Sequence, residues 1–202
     1  MTERILLREW CETSPEMSGK ILGENVRTKD GIYIAGVIQM AETKNNNGRI
    51  YPRKVLEREM TIYNKLIREN RAIGELDHPE SEIPHLVNAS HIIEETWWEG
   101  NAVMGRIRVL RHTPSGKILE GLLEDGVRVG VSSRSIGSLH ESSNGLIVGD
   151  DLMLICFDIV ANPSTMNAFP IRESVEYRKF LPEKREDRIN RVLNEILYKK
   201  SW

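Results

Sequence analysis

The sequence predicts an α+β fold built on a mostly antiparallel sheet or barrel with a few helices. Three observations carry this expectation. Short runs rich in Ile, Val and Tyr recur along the chain, bounded by Gly, Asn, Asp or Pro. Runs that follow one another are joined by short turns, which favours antiparallel pairing, because parallel strands need a long crossover. Between them lie segments whose apolar residues recur at helical spacing. A chain of 202 residues, 40% of them hydrophobic, is long enough for one sizeable core.

The elements follow in order. Ile5 to Cys11 is a short apolar-polar segment, read as a strand or extension, and Thr13 to Lys20, with Pro15 and Gly19, reads as loop. Gly31 to Met40 is bounded by Gly and reads as a buried strand. Asn45-Asn46-Asn47-Gly48 is a turn, since Asn and Gly tolerate positive φ. Tyr51-Pro52 opens a helix, with Val55, Met60, Tyr63 and Ile67 at roughly helical spacing and an end near Arg71. Pro79 and Pro84 forbid a long helix in the stretch that follows. Val87 to Thr96 and Asn101 to Leu110 read as strands, joined as a hairpin by Trp97 to Asn101. Thr113-Pro114-Ser115-Gly116 is a cap before a helix, Lys117 to Glu124, which Asp125-Gly126 ends. Val127 to Gly137 is a further strand. Gly145 to Val148 and Leu152 to Val160 read as a pair joined by Gly149-Asp150-Asp151, and Asn162-Pro163-Ser164 is a turn. Beyond Arg172 the composition shifts to dense charge with apolar residues at helical spacing, an amphipathic tail.

Composition removes several function classes. Lys plus Arg is 28 against 30 for Asp plus Glu, a net charge of -2, which argues against a generally basic nucleic-acid binder. No run approaches the ~18 apolar residues of a membrane helix, and Met1 to Trp10 lacks the apolar core of a signal peptide. Cys11 and Cys156 have no metal-type spacing and read as two reduced thiols. There is no P-loop, dinucleotide fingerprint or G-x-S-x-G elbow.

Three places could carry chemistry. His78 lies in the tight segment Gly74-Glu75-Leu76-Asp77-His78-Pro79, and a histidine there can act as general base or be satisfied by local backbone. Val131-Ser132-Ser133-Arg134-Ser135 puts three hydroxyls in an apolar strand, and each needs a partner if buried. A nucleophilic serine needs a base and oxyanion donors, and Arg134 with nearby backbone could help supply them. The bland alternative is an edge strand with a solvated face. Asp158 is the one charged residue in Leu152 to Val160, and a carboxylate there calls for a partner: a catalytic histidine or a core arginine. His91 is an alternative third member. His78, His85 and His91 match no compact zinc motif, so no metal is assigned. Trp97 and Trp98 read as hairpin packing residues.

Five segments occur together in one order: Asn47 to Pro52, Gly74 to Pro79, Trp97 to Gly100, Gly130 to Arg134 and Phe157 to Ser164. This set resembles the prohead core proteases of T4-like tailed bacteriophages, over about residues 30 to 172. The resemblance implies a serine endopeptidase of capsid maturation that digests scaffold and trims capsid proteins inside the immature prohead, in the host cytoplasm. It implies a β-barrel surrounded by helices, as in herpesvirus assemblin. It implies His78 as general base and a nucleophile in Val131-Ser132-Ser133-Arg134, with Ser133 favoured because Ser133-Arg134-Ser135 resembles the Ser-x-Ser or Ser-x-Gly pattern of related capsid proteases. Ser132 is the alternative, and Ser135 comes third because the T4-like pattern more usually has Gly there. Asp158 stands about where assemblins carry a second histidine. The partners implied are phage scaffold and capsid proteins, with a homo-oligomer allowed and no nucleic acid, membrane or cofactor.

Such proteases cut after Glu in an aliphatic-x-Glu context. Ile171-Arg172-Glu173-Ser174 fits, which predicts a protease domain of residues 1–173 and a tail of residues 174–202 removed by self-cleavage between Glu173 and Ser174. Ile118-Leu119-Glu120-Gly121 also fits but lies in an expected helix. Two competing readings are a catalytically inactive scaffold-associated assembly component and a metal-dependent hydrolase using the histidines.

Overall fold

The computed structural model describes residues 4–8 and 31–161, and the backbone of 171–172. Cys11, the Thr13 to Lys20 loop, the Asn162 to Ser164 turn, Glu173, Ser174 and the tail lie outside the described residues. The chain forms strands β1 (Ile5–Arg8), β2 (Tyr33–Met40) and β3 (Arg49–Ile50), helix α1 (Arg53–Arg68) and strand β4 (Ile73–Gly74). It continues through β5 (His91–Glu99), β6 (Ala102–Val109), helix α2 (Pro114–Glu124), β7 (Gly130–Gly137), β8 (Leu139–Ser142), β9 (Gly145–Val148), β10 (Met153–Val160) and β11 (Ile171–Arg172). The described residues are thus mostly strands, with two α-helices, as the α+β expectation has it.

The strands fall into three groups, β1-β7-β10, β11-β2-β6-β5-β4 and β3-β9-β8. The pairing is antiparallel except between β3 and β9. The first two groups are joined. Leu76 bridges Ile159 in parallel, the Asp77 N–H donates to the Ile159 carbonyl, and the Ile159 N–H donates to the Glu75 carbonyl, both at 2.9 Å. At the far side, the Gln39 amide on β2 reaches Ser133 on β7. The sheet therefore curls around one core, which includes Ile34, Ile38, Ile93, Ile107, Val131, Phe157 and Ile159. A second cluster, Leu7, Ala41, Tyr51, Val55, Leu56, Val148 and Leu152, sits between α1 and the small sheet.

Each helix is fastened by its sequence. α1 buries Val55, Leu56, Met60 and Tyr63 on one face. Pro52 precedes it and has no capping side chain, so the Glu42 carboxylate accepts the orphan Arg53 N–H instead. Glu59 is buried in the same helix, and its Oε2 accepts the Leu154 N–H at 2.8 Å, which ties α1 to β10. α2 begins one turn earlier than the sequence suggests. Thr113 Oγ1 accepts the Gly116 N–H at 3.0 Å, with Pro114 in the first turn. Leu119 in α2 is fully buried, so the second aliphatic-x-Glu match lies inside a packed helix.

Three expectations differ from the observed fold. The strand expected from Val87 begins at His91, because Leu86–Asn88 forms a 3-10 turn. Leu86 and Val87 are exposed, so their apolar character marks no buried strand. The hairpin turn is shorter than expected, since β5 runs through Trp97 and Trp98 to Glu99. Trp98 packs on both clusters, and the Arg53 guanidinium lies 3.7 Å from its ring centre. Finally, β9 and β10 are not a pair. β9 pairs with β8, an element missed in the sequence, and β10 pairs with β7.

The seam between β4, β5 and β10 is tightly packed. The His91 Nε2–H donates to the Phe157 carbonyl at 3.0 Å, and its Nδ1 accepts from the Ser90 hydroxyl at 2.7 Å. A Cβ on Gly74 would stand 2.1 Å from that carbonyl and 2.3 Å from His91 Nε2. Gly74→Ala is expected to destabilise the fold by about 1–3 kcal/mol, read as a lowered urea midpoint. Burial pulls His91 down to about 4, only partly offset by the nearby Asp158 charge. The unfolded chain therefore takes up a proton between pH ~6.5 and ~4 that the native state refuses, and stability falls as pH drops through that window. The loss should be on the order of 3 kcal/mol. Urea unfolding at a series of pH values should show a slope in this window that His91→Gln flattens; equal slopes would refute it.

Candidate active site

His78 reaches the sheet because of a strained turn. Asp77 and His78 both have left-handed backbones, with φ of 62° and 46°, uncommon for residues other than Gly. The turn follows directly on the bridge between Leu76 and β10. It sets the imidazole against Asp158, with Nδ1 2.8 Å from Oδ2. A carboxylate accepts only, so the Nδ1 proton lies in this bond, and in the neutral ring the lone pair is then on Nε2. Nε2 is buried and has no hydrogen-bond partner. A buried acceptor left open at the end of a carboxylate–histidine pair is the arrangement a general base requires.

Asp158 is fully buried and richly supplied with donors. Besides His78, the Glu75 N–H donates to Oδ1 at 3.0 Å, Arg134 Nη2 to Oδ1 at 3.2 Å, and the Cys156 thiol to Oδ1 at 3.3 Å. Arg134 Nε lies 3.0 Å from Oδ2. Burial alone would push the Asp158 carboxyl up, but the His78 bond, the Arg134 charge and the Glu75 N–H outweigh it and hold the group below its ordinary value. Asp158 is thus charged and points that charge at His78.

The two adjacent serines part company. Cross-strand register sets Ser132 opposite Asp158 and Ser133 opposite Phe157. Directly opposed residues of an antiparallel pair share a face. Ser132 therefore shares the face of Asp158. Ser133 shares that of Phe157, a core residue, and its hydroxyl accepts from Gln39 Nε2 at 2.8 Å. Ser135, on the same face as Ser133, is buried with no partner for its hydroxyl. His91 sits at the β4–β5–β10 seam described above and bonds Ser90 and Phe157, not His78.

Arg134 directs its donors inward. Besides Asp158, it donates to Glu75 Oε2 through Nη2, to the Pro79 and Ser81 carbonyls through Nη1 at 3.2 and 2.8 Å, and to Cys156 Sγ. The guanidinium read from the sequence as an oxyanion donor is thus surrounded by internal acceptors. Glu75 and Gln39 were not singled out from the sequence. A carboxylate in the run Ala72 to Leu76, and the one amide in Gly31 to Met40, were the available signals. His85 is exposed and shares a contact of 2.9 Å with Ser81, and among the described residues no group of metal-type ligands converges. No helix among the described residues is long and apolar enough to cross a membrane. His78 is only 3% exposed and Ser132 not at all, so the face is sealed.

A family model described as "Prohead core protein serine protease" matches residues 9–177. The prohead core protein protease of Enterobacteria phage T4 is 34% identical over 176 residues, which cover 82% of this chain and 82% of that protein. The solved structure of the bacteriophage T4 capsid assembly protease aligns with a TM-score of 0.68 at 35% identity, covering 80% of this chain and 99% of that one. With sequence and fold similarity extending over most of its length, the chain belongs to the prohead core protein serine protease family.

Proposed function

We propose that this chain is a serine endopeptidase of phage capsid maturation, acting on scaffold and capsid proteins inside the immature prohead in the host cytoplasm. The observation that carries the reading is His78, tied through Nδ1 to a charged, buried Asp158 and open at Nε2. Such a pair fits acyl transfer from a serine and calls for no cofactor. In the proposal the serine gives its proton to His78 Nε2 as its Oγ bonds to the scissile carbonyl carbon. Asp158 holds the imidazole in the required tautomer and offsets the imidazolium charge. His78 then protonates the leaving amine as the C–N bond breaks, and water repeats the sequence to free the acyl group. With the Arg134 donors turned inward, the oxyanion falls to backbone N–H groups.

The register favours Ser132 over Ser133 as nucleophile. Ser132 shares the Asp158 face, whereas Ser133 bonds Gln39 on the other. The motif resemblance had favoured Ser133, and mutation separates the two. We carry the family reading to the finer points as well. The curled sheet is read as a barrel of the herpesvirus-protease type, supported by its near closure where Gln39 meets Ser133. Cleavage follows Glu in an aliphatic-x-Glu context, and the bond between Glu173 and Ser174 is the self-cleavage site, splitting residues 1–173 from a tail of 174–202. The Glu120–Gly121 bond, inside packed α2, is spared. The sealed face gives some support to a second reading, an assembly component without catalysis.

His78→Ala should lower cleavage of a scaffold-derived Ile-x-Glu-Ala peptide by at least about 10³-fold, and Asp158→Asn by on the order of 10⁴-fold through the wrong tautomer. Ser132→Ala should match His78→Ala while Ser133→Ala keeps measurable activity; the reverse pattern returns the role to Ser133. A wild-type chain that cuts nothing, even with assembled scaffold, favours the second reading. Intact mass of active protein should show loss of residues 174–202. Full activity at full-length mass would exclude the tail as a required cut.

A further inference from the structure

The geometry points to Arg134 and Glu75 as a positioning pair: Arg134 locks Asp158 and the His78 loop together, and Glu75 offsets the guanidinium so that Asp158 keeps its charge for His78. The inference rests on the proposed role of His78 as base.

The mechanical half comes from what the pair holds. Arg134, in β7, grips the Pro79 and Ser81 carbonyls just after His78. Glu75 Oε1 accepts the His85 N–H at 3.1 Å at the other end of the same loop. Arg134 and the Glu75 N–H both bond Asp158 on β10. The loop from Pro79 to His85 is thus clipped at both ends by one buried ion pair. A side chain that forks among a carboxylate and two carbonyls fixes direction as well as distance, and lysine cannot do this.

The electrostatic half comes from counting charges. One guanidinium against the two carboxylates of Glu75 and Asp158 leaves one net negative charge around the His78 ring. Protonation of His78 brings the cluster to neutrality. Without Glu75, Arg134 alone would cancel Asp158, and the imidazolium would be the uncompensated charge in a buried site. The other groups nearby do not change the count. Burial pushes the Cys156 thiol on β10 and the Tyr63 hydroxyl on α1 up, so both stay neutral, and His91 on β5 is held neutral down to about pH 4. Ser132, opposite Asp158, does not titrate in this range.

The test is the pH profile of kcat/KM for the full chain on the Ile-x-Glu-Ala peptide. Removing a negative charge disfavours imidazolium, so Glu75→Gln should move the acid limb to lower pH by on the order of one unit. Glu75→Asp, which keeps the charge, should leave the limb near the wild-type position even where kcat falls. Arg134→Lys also keeps the charge but loses the fork, so kcat should fall at least about tenfold with the limb in place and KM little changed. An unmoved limb in Glu75→Gln, or a moved one in Glu75→Asp, overturns the electrostatic half. Wild-type kcat in Arg134→Lys overturns the mechanical half. If Glu75→Gln does not fold, the limb in Glu75→Asp and the kcat of Arg134→Lys still decide. Full activity of His78→Ala in the same assay sinks the base assignment instead, whatever the other variants do.

Discussion

A carboxylate cut off from water must be satisfied by the protein around it, and Asp158 is such a group. Four donors converge on it, from His78, Glu75, Arg134 and Cys156, and Arg134 Nε adds an ion-pair contact. Leaving a buried charge unpaired costs several kcal/mol, so none of these donors can leave alone without cost to the fold. The demand reaches outward. Arg134 needs Glu75, Glu75 belongs to the stretch that bridges β4 to β10, and that bridge launches the turn bearing His78. The join between β4 and β10 and the position of His78 are thus both tied to one desolvated charge.

The same demand explains why strain persists at Asp77 and His78. Two successive left-handed residues cost of order 1–3 kcal/mol each, and they survive only where surrounding contacts over-determine them. The bonds from Asp77 to Ile159, from His78 to Asp158 and from Arg134 to Pro79 supply that support on both sides of the turn. The strain sits on the catalytic candidate and its neighbour.

Much of this was legible in the sequence, and the gaps have physical causes. Asp158 stands out because charge is rare in an apolar strand, and His78 because it lies in a tight segment between Gly74 and Pro79. Most strands and both helices follow from periodicity, caps and turn residues. What escaped depends on register or on long-range convergence. Whether Ser132 or Ser133 faces Asp158 is set by how β7 pairs with β10, including an irregularity between Leu154 and Cys156, and alternation alone says only that one of them does. Arg134 beside three serines reads as an oxyanion donor until the acceptors around it are visible, since Glu75, Pro79 and Ser81 are more than fifty positions away. β8 was missed because Leu139-His140-Glu141-Ser142 is exposed for most of its length and carries no apolar alternation.

A sealed reacting face turns the problem of catalysis into one of timing. If Ser132 and His78 are out of solvent contact, a substrate reacts only with the fraction of molecules that has opened, and the observed rate is that fraction multiplied by the chemical rate. Every ~1.4 kcal/mol by which the closed form is favoured slows turnover tenfold without touching the chemistry. On that arithmetic, packing and ion pairing that favour the closed form would hold turnover down until something binds the open form better than the shut one.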